Sequence, residues 1–249
     1  MRGYRQERQG PGAARNFGVN QASGDYVAFL DSDDLWYPWA LATYAAVAED
    51  FGRPGLLLGS VVEFAGVRAP DIDQADPVNA IGFSNYLDAV TSGGRRFGSG
   101  LIAVRRDAFQ KAGGFDTALP CAEDHDWALR LSNDDRCAAI ATPLQIAYRR
   151  HEVSATHQLP QMLDGVTSIV QREIGGKYPG GLPHQTRRRI AVLNMAIPVS
   201  IAALGPDGGR AWALYRAMAP WCLSTGRWKY LLGFPVLALR QTVAAWRAR

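Results

Sequence analysis

Apolar and polar positions alternate in two different periods over the first 150 residues, and this pattern predicts a sheet flanked by helices. Four apolar runs predict strands: "DYVAFLD", "PGLLLGSVVEFAG", "GSGLIAV" and "AAIATPLQIAYRRH". Helical periodicity follows or precedes them: about Ala13–Gln21, "YPWALATYAAVAED", "RRDAFQK" before a Gly-Gly turn, and "EDHDWALRLSN". Strands that alternate with helices indicate an α/β body.

Two further segments complete the predicted organisation. Residues 68–94 are rich in Asp, Pro, Asn and Gly, and they predict a long loop with at most one short helix. From about Met162 onward the pattern is helical. We therefore expect an α/β domain over residues 1–157 and a helical region over residues 158–249.

Three carboxylates follow the apolar run Val27–Leu30, namely Asp31, Asp33 and Asp34. Ligands in open α/β sheets bind beyond the carboxyl ends of the strands, which is where these acids lie. Carboxylate oxygens suit Mg²⁺ or Mn²⁺, which keep positions open for phosphate oxygens. A metal and diphosphate site is one interpretation, and a solvated acidic turn that caps the next helix is the other.

A second acidic cluster lies in "LPCAEDHDWALRL". Glu123, Asp124 and Asp126 open a predicted helix, where acids also serve as simple N-terminal caps. Asp126 fits that capping role, but three acids exceed what capping needs. We expect the two clusters to meet across one cleft, with a metal at the first and a catalytic base at the second.

Four motifs, in this order, resemble family-2 inverting glycosyltransferases of the GT-A fold. They are "GPGAARNFGVNQASGDYVAFLDSDDLW", "FGSGLIAVRRDAFQKAGGFD", "CAEDHDWALRL" and "YRRHEVSATH", within residues 5–157. The resemblance implies a partial, Rossmann-like GT-A nucleotide-sugar transferase domain followed by a helical tail. It also implies transfer of a sugar, with inversion, to a sugar or lipid-linked acceptor in cell-envelope polysaccharide synthesis.

The resemblance implies a role for each matching residue. Asp33 would ligate Mg²⁺ or Mn²⁺, and Asp124 would be the general base. His151 would be a further contact to the metal or diphosphate, although a lone histidine is more often structural. The donor-binding residues implied by the resemblance are Arg15, Asn16, Asp31, Ser99, Gly100 and Glu123.

The start of the chain departs from the family pattern. Family members begin with strands that hold the nucleobase, and nothing in "GYRQERQGPG" matches them. We therefore expect an N-terminally truncated domain in which "DYVAFLD" has an unpaired apolar edge. Residues 1–249 alone are expected to be poorly soluble or oligomeric and without turnover, and a chain that includes the first strands is expected to be soluble and active.

Charge separates the tail from the body. Residues 177–249 hold 11 Lys/Arg, a single acid and four of the seven tryptophans. The apolar stretches Ile190–Leu204 and 231–239 fall short of the ~20 residues that a spanning helix needs. Either these helices form a buried core, or they lie on an anionic membrane surface. We expect a cytoplasmic protein held peripherally at the inner face of the cell membrane.

Other classes fit less well. Three cysteines without CxxC spacing argue against disulfides or a zinc knuckle and favour a reducing compartment. Dehalogenase-type phosphatases want Thr or Val where this chain has Leu35, and they need a later lysine where the body offers only Lys111. The basic tail has no nucleic-acid reader motif. A catalytically inactive fragment, or a membrane-surface interaction module, is the remaining alternative to an enzyme.

Overall fold

The computed structural model describes residues 3–66, 68–72, 76–92, 97–131, 135–150 and 159–247, with side chains in the last range to residue 241. The chain forms two compact units. The first contains residues 1–118 and 123–154, and the second contains residues 119–122 and 155–249.

The first unit is built on two small mixed sheets. Its strands are β1 (Tyr26–Ala28), β2 (Leu35–Trp36), β3 (Leu56–Leu58), β4 (Val61–Ala65), β5 (Asn79–Phe83), β6 (Ile102–Arg105), β7 (Cys137–Thr142) and β8 (Ile146–Arg150). Among the described residues, one sheet has the order β1-β6-β3-β7-β5 and the other has the order β2-β8-β4. The pairs β3–β7 and β4–β8 are parallel, and the other neighbours are antiparallel.

Helices flank these strands in the order that the pattern predicts. They are α1 (Pro11–Gln21), α2 (Ala40–Asp50), α3 (Tyr86–Ser92), α4 (Arg106–Lys111) and α5 (Glu123–Arg130), with a 3₁₀ turn at Ser99–Leu101. The core lies around β3, whose three leucines are buried, and α2 covers it with Tyr44 and Val47. The predicted α/β body is confirmed.

Strand β1 is shorter and more exposed than the apolar run Val27–Leu30 predicts. It ends at Ala28, its residues are half-buried, and Leu30 is 41% exposed. The prediction of a buried strand through Leu30 is wrong because β1 lies at the edge of the sheet. It pairs with β6 on one side, and no other described strand lies on its outer side.

Residues 68–94 also differ from the prediction. This stretch was expected to be a loop with at most a short helix, but it contains β5 as well as α3. Strand β5 pairs antiparallel with β7 at the other edge of the sheet, and its residues are exposed or half-buried. An edge strand with little burial needs few apolar residues, so its sequence looks like a loop.

The second unit confirms the predicted helical region. Its helices are α6 (Leu159–Ile174), α7 (Gly181–Ala202), α8 (Gly208–Ser224) and α9 (Trp228–Arg247). Tyr215 and Trp212 of α8 pack against Phe234 of α9, with Tyr215 stacked on its ring. Within the described residues, none of the helices combines the length and hydropathy of a membrane-crossing segment.

The two apolar stretches of the tail behave differently. In α7, Val192, Leu193 and Ala196 are buried, so the first stretch supplies core, as one of the two alternatives predicts. The second stretch lies in α9, where buried and exposed apolar residues alternate by face. Trp221 is buried, so this tryptophan of the basic segment belongs to the core and is not available to a membrane.

Replacing Arg188 by methionine is expected to destabilise the helical unit by about 3–5 kcal/mol, because the substitution leaves a buried carboxylate without its main partner. Arg188 and Glu173 are both buried, with Arg188 Nε 2.8 Å from Glu173 Oε2. Urea unfolding measures the loss. Arg210→Met, which breaks an exposed ion pair with Asp164, is the control and should cost at most about 1 kcal/mol. Equal losses in the two variants would contradict the prediction.

Candidate active site

The acidic turn after β1 is anchored by strand β8. Asp34 is buried, and its Oδ1 accepts a hydrogen bond of 2.9 Å from the backbone N–H of Arg149. The Arg149 side chain donates in turn, from Nε, to the carbonyl oxygen of Asp33 at 3.0 Å. Arg149 of β8 thus contacts the turn twice, through its backbone N–H and through its side chain.

Arg149 is a site residue that the sequence did not reveal. Its guanidinium also donates to the carbonyl of Gly66 and lies over the Phe64 ring, 4.8 Å from the ring centroid. Only its place in the "YRRH" stretch could have singled it out, since nothing local to Arg149 connects it to acids more than 100 positions earlier.

Arg15 joins the two acidic clusters. Its two terminal nitrogens lie 2.6 Å from Asp31 Oδ1 and 2.7 Å from Glu123 Oε1. Arg15 comes from α1, Asp31 follows β1 and Glu123 opens α5, so three elements meet at one guanidinium. The expectation that the two clusters meet in one site is confirmed.

Burial and charge shift the pKa values of this group. Burial raises the pKa of Glu123 above its usual value, the neighbouring charge of Asp124 adds to the rise, and Arg15 opposes it. Burial by itself lowers the pKa of Arg15. The nearby carboxylates of Asp31 and Glu123 raise it by more, so the pKa of Arg15 lies above its usual value. The guanidinium therefore keeps two crowded carboxylates together.

The 3₁₀ turn at Ser99–Leu101 lies against both clusters. The backbone N–H of Ser99 donates to Asp124 Oδ2 at 2.9 Å, and the N–H of His125 donates to Asp124 Oδ1 at 2.7 Å. A Cβ on Gly100 would lie 3.6 Å from Asp34 Oδ2 and 3.7 Å from Asp31 Oδ2. The glycine therefore leaves room beside the carboxylates of the first cluster.

A cavity of about 430 Å³ opens beside this group of residues. It lies between α1 and residues 27–32, and Arg15 and Asp31 are among its lining residues. Its volume is in the range of small-molecule sites, and it combines apolar side chains such as Val19 and Phe29 with a charged pair.

Two of the residues singled out from the sequence make structural contacts. Asn16 pairs with the backbone of Phe115 at both ends of its amide, donating at 2.8 Å and accepting at 2.8 Å. Gly114, at φ +67, permits this pairing, since a Cβ there would lie 2.9 Å from Asn16 Oδ1. Asp126 is fully buried and accepts from Arg130 Nε at 2.9 Å. His151 lies outside the described residues.

The residues of the first acidic cluster offer carboxylate oxygens, the ligand type that hard divalent cations prefer. Within the described ranges, no group of three or more His, Cys, Asp or Glu side chains could hold a metal ion by itself. Mg²⁺, however, commonly takes only one or two carboxylates and completes its shell with water and substrate phosphates. Asp31 and Asp33, which are separated by one residue, supply that number of carboxylates, and Arg15 occupies one oxygen of Asp31.

Comparison with known proteins agrees with this fold. Residues 2–113 match the family model for Glycosyl transferase family 2. An uncharacterized glycosyltransferase of Haemophilus influenzae is 29% identical over 124 residues, which cover 49% of this chain and 41% of that protein. The succinoglycan biosynthesis protein ExoW of Rhizobium meliloti is 58% identical over 36 residues, 14% of this chain and 11% of ExoW. The chain thus spans less than half the length of these relatives.

A solved structure supports the fold. The crystal structure of S. aureus TarS superposes with a TM-score of 0.51 and 20% sequence identity. The match covers 89% of this chain and 42% of the TarS chain. The α/β unit therefore has the GT-A architecture. Residues 2–113 are thus similar to glycosyltransferase family 2, the family that the four motifs resemble.

Replacing Arg15 by methionine is expected to make stability fall more steeply with pH. Folding already raises the pKa of Glu123 above its usual 4.5, so ionising Glu123 costs folding free energy as the pH rises above that value. Without Arg15 the pKa rises further and the cost grows. The deficit relative to wild type should be small near about pH 4 and reach about 3 kcal/mol near about pH 7.

Urea unfolding at both pH values measures this deficit. Arg53→Met is the control, since Arg53 is exposed and pairs at the surface with Asp25, and we expect no change of slope with pH. A deficit in Arg15→Met that is equal at both pH values would show that Arg15 does not offset the charge of Glu123.

Proposed function

We propose that this chain is a nucleotide-sugar-dependent glycosyltransferase that moves a sugar from a nucleotide-diphosphate donor to an acceptor hydroxyl with inversion. The observation that carries the proposal is the meeting of the two acidic clusters through Arg15, with the Ser99–Gly100 turn against both. The similarity of residues 2–113 to glycosyltransferase family 2 supports the reaction class.

Asp124 is the proposed general base. It opens α5, and its two oxygens are oriented by the backbone N–H groups of Ser99 and His125. A carboxylate with both oxygens held in place can accept the proton of an acceptor hydroxyl without first reorganising. Attack from the side opposite the leaving diphosphate would invert the anomeric carbon.

The first cluster is the proposed diphosphate side of the site. Asp33, with Asp31 beside it, would hold Mg²⁺ or Mn²⁺. When bound, the cation would neutralise charge on the diphosphate leaving group. Arg15 supplies a fixed positive charge at the same place, and Glu123 keeps its guanidinium oriented. Gly100, which lies beside Asp31 and Asp34, is the proposed backbone contact to the donor sugar.

The acceptor proposed for this chain is a sugar or a lipid-linked sugar, in the context of cell-envelope polysaccharide synthesis. The similarity to ExoW, whose name places that protein in succinoglycan biosynthesis, supports this choice of acceptor class. Strand β5, whose residues are exposed or half-buried, is a candidate surface for acceptor selection.

A donor assay tests the function. The purified chain is incubated with a panel of UDP-, GDP- and dTDP-sugars with Mg²⁺ or Mn²⁺, and nucleoside diphosphate release and donor binding are both measured. Release that is lost in Asp124→Asn supports the proposal. Donor binding without release would agree with the expectation that residues 1–249 alone have no turnover. Absence of both binding and release with every donor would favour the inactive alternative.

A further inference from the structure

One face of helix α9 exposes large apolar side chains. Trp228, Leu232, Val236 and Leu239 are 53%, 71%, 48% and 66% exposed. At about 100° per residue, the four lie within an arc of about 80° on the helix surface. We call these four residues the outer face of α9.

The opposite face of α9 fixes this orientation. Tyr230, Phe234 and Ala238 are buried, and Phe234 stacks on Tyr215 of α8 with ring centroids 4.6 Å apart. The hydroxyl of Tyr215 donates to the carbonyl of Leu231 at 2.9 Å. Because this packing uses the other side of the helix, the outer face cannot turn inward without breaking the aromatic cluster.

Positive charge borders the outer face. Lys229 and Arg240 are exposed, and on the same helical projection they fall within about 40° of Val236. Residues 228–241 contain no acid, and residues 177–249 contain only one, Asp207. Apolar side chains flanked by cations have the composition of helices that lie in the headgroup region of a membrane.

Charge also distinguishes between two possible partners of the outer face, a second copy of the chain and an anionic bilayer. A second copy of the chain would bring its own Lys229 and Arg240 against the same cations, which is unfavourable. An anionic bilayer accepts the apolar side chains among its acyl groups and attracts the cations that border them. Trp228, at the first turn of α9, suits the interface between headgroups and chains.

We propose that the outer face of α9 docks this protein flat on an anionic lipid bilayer, with Lys229 and Arg240 at the headgroups. This docking does not depend on glycosyl transfer. It assigns membrane binding to one face of one helix rather than to the basic tail as a whole. Such a surface would hold a transferase beside acceptors that are themselves anchored in the membrane.

Vesicle flotation with the full chain tests the proposal. Binding should be strong to vesicles that contain anionic phosphatidylglycerol and weak to vesicles of phosphatidylcholine alone. Lys229→Gln with Arg240→Gln should lower binding to anionic vesicles about 30-fold, because each lost cation should lower the affinity about five- to sixfold. Leu232→Gln with Leu239→Gln should lower it at least about tenfold.

Matched variants in the first unit serve as controls. Leu41 is 55% exposed on α2 and Lys111 is an exposed cation of α4, so Leu41→Gln and Lys111→Gln should leave vesicle binding unchanged. Circular dichroism verifies that all variants fold, which is expected because every substituted side chain is exposed.

Three results would overturn the proposal. The first is equal binding to neutral and anionic vesicles, and the second is wild-type binding by both α9 variants. The third is absence of vesicle binding together with a dimer in analytical ultracentrifugation. If Leu232→Gln with Leu239→Gln dissociates that dimer, the outer face belongs to a contact with a second copy. Because none of these measurements uses a nucleotide-sugar, failure here is distinguishable from failure of the proposed transferase activity.

Discussion

Replacing Asp124 by asparagine is expected to lower the turnover of glycosyl transfer by at least about a hundredfold, while donor affinity changes little. An amide cannot take the acceptor proton, so the variant loses general-base catalysis. The proposed diphosphate side of the site consists of Arg15 and of the cation that Asp31 and Asp33 would hold, and the substitution leaves these residues in place. Steady-state kinetics give turnover, and calorimetric titration of the donor gives affinity.

The environment of Asp124 sets the design of the control. Both of its oxygens accept backbone N–H groups, so the amide nitrogen of an asparagine would face one donor instead of accepting from it. A local loss of stability is therefore expected in Asp124→Asn and must be measured separately by urea unfolding. Kinetics are then compared at a temperature where the variant is fully folded.

Asp126→Asn is the matched variant two residues further along the same helix. Asp126 is fully buried and pairs with Arg130, so its substitution should reduce stability and leave the turnover of the folded fraction nearly unchanged. If Asp126→Asn instead abolishes turnover while Asp124→Asn does not, the assignment of the base to Asp124 is wrong.

Replacing Asp33 by alanine is expected to abolish metal-dependent transfer and to weaken donor binding. In the proposed mode the protein supplies only one or two carboxylates, so removing one removes much of its hold on Mg²⁺ or Mn²⁺. The turn itself should persist, because Arg149 holds it through the Asp33 carbonyl and the Asp34 carboxylate. The loss would thus come from the missing side chain rather than from a collapsed loop.

Initial rates across a series of Mg²⁺ and Mn²⁺ concentrations, with and without EDTA, measure this effect. Ser32→Ala is the control, since Ser32 is exposed in the same turn and has no proposed role. Undiminished activity of Asp33→Ala in EDTA would remove the metal role from this residue.

The sequence alone was sufficient for the order of most elements and for the two acidic clusters. Leu56–Leu58 is a continuous apolar run, and a strand buried on both faces needs such a run, so local composition and structure agree. Pro11 at the start of α1 and the Gly-Gly turn after α4 likewise act through local backbone preferences. These features depend on residues that are neighbours in the chain, which is why periodicity and turn chemistry predict them.

The joining of the site required the tertiary structure. Arg15 bonds to Glu123 across 108 positions, and Arg149 bonds to Asp34 across 115. The helical pattern of α1 does not tell whether the guanidinium of Arg15 lies in water or between two carboxylates. The two hydrogen bonds between the Asn16 amide and the Phe115 backbone could not be predicted either, because the two residues are far apart in the chain.

The edges of the sheet were also decided by tertiary pairing. Strand β5 has a loop-like sequence and forms because β7 offers it backbone partners, whereas the apolar run after Tyr26 stops being a strand at Ala28. Backbone hydrogen bonds to a neighbouring strand carry no side-chain signature, so composition misjudges strands at an edge. Local pattern thus determined most of the elements and the acids that they present. Long-range contacts decided the edge strands and which of those acids lie together.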